Sequence, residues 1–143
     1  MINKKDIAII KLLRSNARIK LRQISYKTNI PFATVFQRMK KINTCVIKNT
    51  TILNYKKINY PINIIYTIKS SNINKNKIIE FLLKNNNVNN IYSITGSHNI
   101  LIEAFFIDLN EADIFYEDLT IFNPLKIDQY QIINELKKEE FFT

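Results

Sequence analysis

The spacing of the apolar residues changes once along this chain, and that change limits the folds open to it. Over residues 4–43 apolar positions recur every three or four residues. Ile7, Ile10 and Leu13 come first with Ile9 beside them, then Leu21 and Ile24, then Val35, Met39 and Ile42. Such spacing lays one apolar stripe along each of three short helices, expected over 4–15, 21–28 and 31–43. From residue 61 the period falls to two in Ile62, Ile64, Tyr66 and Ile68, the pattern of a strand with one buried face. A chain of 143 residues that switches period in this way is an α+β protein built from two modules.

The punctuation of the first module specifies its plan. Asn16-Ala17-Arg18-Ile19 interrupts the first helical pattern, and Asn29-Ile30 makes a tight turn before Pro31. Proline suits a helix opening, where its missing N–H would have no partner anyway. The third helix turns Thr34, Gln37, Arg38, Lys40 and Lys41 outward. Two helices joined by a short turn, the second with a polar and basic outer face, form a helix-turn-helix. An extended strand is expected over 46–54 and a basic turn over 55–60. The modules are therefore read as 1–54 and 55–143.

In the second module, strands are expected at 61–70, 88–95, 99–107 and 126–136, the last running through Ile127, Tyr130, Ile132 and Ile133. Helices are expected at 73–85, around Ile78, Ile79, Leu82 and Leu83, and at 110–121, with Asn110 as its N-cap. The order βαββαβ is ferredoxin-like, with both helices on one face of the sheet. Ile65, Leu101 and Phe105 fall on the other face, which reads as apolar and best covered by a second copy of the chain.

Charge divides along the same boundary. Residues 1–60 hold 14 Lys and Arg against the single acid Asp6, while residues 61–143 hold 7 against 11, for a net charge of +9. A basic helical module joined to a slightly acidic one points to double-stranded DNA as the partner of the first. The longest apolar runs are too short to span a bilayer, and the amino-terminal residues lack the features of a secretory signal, so a cytoplasmic protein is expected. A lone Cys45 and a lone His98 supply neither a disulfide nor a zinc cage, and no metal or cofactor is expected. Cys45 reads as a small buried hydrophobe. There is one glycine, Gly96, so turns that need positive φ are expected to use Asn.

These residues resemble a family. Asp6, Ile9, Ile10, Leu13, Asn16-Ala17-Arg18, Ile24-Ser25, Asn29, Pro31, Val35 and Arg38 follow without a gap the pattern of the DNA-binding half of the Lrp/AsnC feast-or-famine regulators. Ile94-Thr95-Gly96 resembles the opening of the central loop in that family's ligand-sensing domain. The resemblance implies a winged helix-turn-helix followed by a RAM-type βαββαβ domain, dimers that assemble further, up to octamers, and a small amino-acid-like effector bound between dimers. It departs from the family at Asn29 and Asn59, where glycine is usual, and at Pro31, where serine is usual. It departs again at Ser97, His98 and Asn99, where the family often has acidic, aromatic and acidic residues.

Candidate site residues follow. Thr34 and Gln37, with Lys41, are placed at base edges, because the first half of a recognition helix enters the major groove. Arg18, Arg22, Arg38 and Lys40 are placed on phosphates, with an ion pair to Asp6 as the competing role of Arg38. Phe36 and Phe32 are set either against thymine methyls or in packing. Thr95, Gly96, Ser97, His98 and Asn99 form the expected effector loop. Glu111, Asp113, Glu117 and Asp118 read as the solvated face of a helix rather than catalytic carboxylates, and the chain is not expected to be an enzyme. The enzymatic alternative is a siroheme-decarboxylase-like protein of the same two-module plan. Such an enzyme would need a pocket supplied by His and Arg, whereas this chain has one His and keeps its four Arg within the first 38 residues. A third reading is a partner subunit of another regulator.

Overall fold

The computed structural model describes residues 2–141. The chain divides into two compact units, Met1–Ile52 with Leu136–Thr143, and Leu53–Glu135.

The first unit contains α1 (Lys4–Ser15), α2 (Leu21–Thr28) and α3 (Phe32–Asn43). A reciprocal cap opens α1: the Asp6 N–H donates to Asn3 Oδ1 at 3.1 Å and the Asn3 N–H donates to Asp6 Oδ2 at 2.9 Å. Two amide groups that the helix cannot use are thereby satisfied. Asn29 ends α2 at φ 54°, in the left-handed well that asparagine tolerates. Pro31 stands one position earlier than expected, as the N-cap of α3 with extended backbone, so the helix proper starts at Phe32. Ile9, Ile24, Ile30, Val35 and Ile42 close a core among the three helices. Ile9, read as flanking the stripe, is its fully buried centre.

Three expectations for this unit are corrected. Residues 46–54 form no strand, because none of the described residues offers them a ladder, and Ile47 lies fully exposed. Cys45 is exposed, not buried, since α3 has already ended and its thiol falls beyond the packed face. The last residues join the first unit instead of extending the second. Arg14 of α1 holds them there, its guanidinium donating to the carbonyls of Glu139 at 2.6 Å and Phe141 at 3.0 Å. The Phe141 ring is exposed, and Phe142 lies outside the described residues.

The second unit begins with a single 3₁₀ turn, Tyr55–Ile58, ended by Asn59 at φ 68°. It continues as β1 (Ile62–Lys69), α4 (Asn72–Lys84), β2 (Val88–Ser93), β3 (Ile100–Phe106), α5 (Leu109–Thr120) and β4 (Lys126–Gln131). The strands pair antiparallel in the order β2-β3-β1-β4, as a βαββαβ chain requires. Alternation along β1 buries Ile64, Tyr66 and Ile68 against Ile78 and Leu82 of α4 and Ala112, Phe115 and Leu119 of α5.

The termini of these elements differ in detail. Asp108 caps α5, its side chain accepting the Glu111 N–H at 2.8 Å, and Asn110 lies inside the helix. An aspartate two residues earlier is the better cap, because its charge faces the positive helix end. Leu83 points outward and is exposed. The last strand stops at Gln131, leaving Ile133 exposed beyond the end of its pairing with β1. The open face of the sheet is also less apolar than expected. At its centre Glu103 accepts hydrogen bonds from the side-chain amides of Asn63 at 3.1 Å, Asn89 at 3.0 Å and Asn90 at 2.8 Å. Phe105 on the same face is buried under the Tyr55 ring, with centroids 3.9 Å apart.

Candidate nucleic-acid interface

Packing decides which residues of the helix-turn-helix face outward. Val35 and Ile42 fill the core and Met39 lies beside them, so α3 presents the opposite side to solvent. On that side Phe32, Phe36 and Lys40 follow at a spacing of four, with Gln37 and Lys41 exposed in the adjoining row. The Lys40 ammonium sits 5.0 Å from the centre of the Phe36 ring, a cation–π contact that orients both side chains. Thr34 is half-buried at the start of the helix. Arg18, in the turn between α1 and α2, and Arg22, on α2, are exposed.

Arg38 departs from its expected place on phosphate. Its guanidinium turns inward and donates to Asp6 Oδ1 at 2.8 Å. Asp6 is fully buried, and the Arg38 hydrogen bond, with that from the Asn3 amide, holds its carboxyl below the usual aspartate range. An arginine paired with a buried carboxylate links α3 to the start of α1. The local pattern alone could not distinguish the two roles, because Arg38 lies at the border of the exposed face. Tyr26 is 86% exposed on α2, one turn from Arg22.

The expected effector loop separates into two kinds of residue. Thr95, Gly96 and Ser97 are exposed. Asn99 is a structural pin, its amide accepting from the Ser70 N–H at 3.1 Å and donating to the Ser70 carbonyl at 2.9 Å. His98, expected in the effector loop, is largely covered. Its Nδ1 lies 2.9 Å from Ser97 Oγ, and its Nε2 lies 2.9 Å from Asp128 Oδ2, close but not aligned as a hydrogen bond. Gly96 has φ 117°, far from the wells near 50–70° that Asn29, Asn59 and Asn123 occupy, so asparagine does not substitute there. A separate hollow of about 480 Å³ is lined by Tyr55, Tyr60, Asn87, Phe105 and Glu111 among others, and none of the effector-loop residues reaches it.

Residues 2–41 match the family model described as winged helix-turn-helix DNA-binding. That span is the three-helix core and stops short of the segment where a wing would begin. Over nearly its whole length the chain is similar to an uncharacterised HTH-type transcriptional regulator of Pyrococcus abyssi, at 27% identity covering 99% of this chain and 97% of the relative. Among solved structures, LrpC of B. subtilis superposes with a TM-score of 0.88 at 17% identity, covering 96% of this chain and 98% of the other. AsnC of E. coli does so with a TM-score of 0.86 at 14% identity, covering 100% and 99%. The chain shares the fold of these two proteins, LrpC and AsnC. A third structure of this fold is a transcriptional regulator of Neisseria meningitidis in complex with L-Met, with a TM-score of 0.86 at 19% identity, covering 96% and 94%. No helix among the described residues is long and apolar enough to cross a membrane.

Proposed function

We propose that this chain is a sequence-specific, DNA-binding transcription regulator that works as a dimer or higher oligomer. The observation that carries the reading is the division of α3 into a buried apolar side and an outer side bearing Gln37, Lys40 and Lys41, in a unit that also exposes Arg18 and Arg22. Arg18, Arg22 and Lys40 hold phosphates. Thr34, Gln37 and Lys41 approach base edges, as the first half of a recognition helix does in the major groove. Arg38 is assigned to the fold and not to the DNA. Two recognition helices related by a two-fold axis would read a pseudo-palindrome with half-sites about 10 bp apart or a multiple of it. The L-Met complex of the Neisseria meningitidis protein supports a small amino-acid-like effector, with Thr95, Gly96 and Ser97 as the residues free to meet it.

The test is gel-shift titration of the purified protein with DNA of its own promoter, carried out from 50 to 200 mM salt. Retarded complexes that weaken steeply with salt, and that lose affinity when Lys40 and Lys41 become alanine, are expected. Affinity indifferent to both changes overturns the reading.

A further inference from the structure

We propose that Phe36, supported by Phe32, reads thymine methyl groups, and that with Gln37 it directs α3 to A·T pairs. The inference rests on the DNA-binding reading above and specifies the base pairs it selects. Phe32 and Phe36 are each 48% exposed on the outer side of α3, one turn apart, where a solvated helix normally carries polar side chains. They lie in the first half of the helix, the part that reaches base edges in a groove. Neither is needed to complete the core, which Ile9, Ile24, Ile30, Val35 and Ile42 close without them.

The neighbouring side chains support the same assignment. In the major groove the one apolar group on any base edge is the C5 methyl of thymine, and the adenine paired with it takes a bidentate amide. Phe36 and Gln37 are adjacent and both outward, so one step of the helix carries the partners for both halves of an A·T pair. Lys40, over the Phe36 ring at 5.0 Å, keeps that ring from folding back and brings a positive charge to the same place. The single arginine of α3 is held by buried Asp6 at 2.8 Å, so among side chains that pair with guanine this helix turns only lysines fully outward.

Thymine differs from uracil by this methyl alone, which gives a direct test. A library of randomised 30-bp duplexes is selected for binding, and the sequence bound best is remade with uracil in place of every thymine. The wild-type protein is expected to bind the uracil duplex about fourfold more weakly for each methyl contacted, the worth of one buried methyl-sized group. Phe36→Ala should bind the thymine duplex more weakly and bring the ratio between the two duplexes close to one. Arg22→Ala should weaken both duplexes alike and keep the wild-type ratio. Equal binding of both duplexes by wild type, or an unchanged ratio in Phe36→Ala, overturns this inference and leaves the DNA-binding reading standing. If wild type binds no duplex of the library, both fall together. The wild-type ratio needs no variant, so a misfolded Phe36→Ala cannot shield the proposal.

Discussion

The Asp6 carboxylate accepts the Arg38 guanidinium at 2.8 Å through one oxygen while its other oxygen closes the cap on α1. One buried residue thus fixes both where α1 starts and where α3 lies. Because these bonds favour the ionised form, the folded pKa of Asp6 lies below its unfolded value near 3.9. The stabilisation is fully present above that value and is lost as the pH falls through the lower, folded pKa. Thermal melts of the wild type should therefore be level from pH 7 to about 4.5 and decline steeply below 4. Asp6→Asn should melt earlier at pH 7 and show a shallower acid decline. Identical acid limbs in the two proteins would dismiss this role.

Replacing surface cations of the helix-turn-helix should act on DNA affinity and leave the fold intact. A dimer that neutralises 6–10 phosphates is expected to lose roughly 10³–10⁵ in affinity between 50 and 200 mM salt. Each phosphate contact removed should lower the slope of log affinity against log salt by about 1, so Lys40→Ala or Arg18→Ala, which removes one from each subunit of a dimer, should lower it by about 2. Fluorescence anisotropy over a salt series measures that slope. Arg38→Ala should instead lower the melting temperature, since it strands a buried carboxylate.

Asn99 closes the loop before β3 onto Ser70, which is buried. Asn99→Ala leaves the Ser70 amide and carbonyl without that partner, a loss of about 1–3 kcal/mol in urea unfolding. A variant as stable as wild type would show that solvent satisfies those groups equally well.

Gly96 and Asn29 make a matched pair for backbone freedom. No atom lies within 4 Å of where a Gly96 side chain would begin, so the cost of a substitution there comes from φ 117° itself. Gly96→Asn should destabilise by about 1–3 kcal/mol. Asn29→Gly, in a well open to both residues, should change stability by no more than about 1 kcal/mol. Equal effects at the two positions in denaturant titrations would contradict the assignment.

The Tyr66 hydroxyl is buried between sheet and helices with no hydrogen-bond partner among the described residues. Burial, reinforced by nearby Asp113, pushes the phenol up to a value at which it stays neutral at any ordinary pH. Its ring packs against Phe115 and Phe106, and those contacts survive in Tyr66→Phe. That substitution should hold stability level or raise it by about 1 kcal/mol, because it removes an unsatisfied polar group and keeps the shape. A substantial loss would point to an ordered water on the hydroxyl.

Much of this protein could be read from local pattern. The three amino-terminal helices, the βαββαβ order and the use of Asn29 and Asn59 in left-handed turns all follow from properties that travel with a residue and its near neighbours. Periodicity expresses which face must leave water, and asparagine carries its tolerance of positive φ wherever it stands. The misread details share a cause. A strand over 46–54, a buried Cys45 and a buried Leu83 are claims about partners, and an apolar residue does not state whether a partner stands opposite it. The same holds for the amide ring around Glu103 on a face read as apolar, since Asn63, Asn89 and Asn90 meet it from two neighbouring strands.

By itself the sequence determined the class of fold, the separation of a basic module from a slightly acidic one, and the helix that faces outward. Short-range periodicity and net charge are sums over neighbours in the chain, and they survive without knowledge of the fold. Only the tertiary structure decided which charges remain available. Arg38 and Lys40 are two residues apart and similar in local context, yet one is drawn to a buried carboxylate 32 positions away and the other projects into solvent. A charge is free or committed according to what long-range packing brings within about 4 Å of it, and at that distance in a low-dielectric interior the pairing outweighs any local preference.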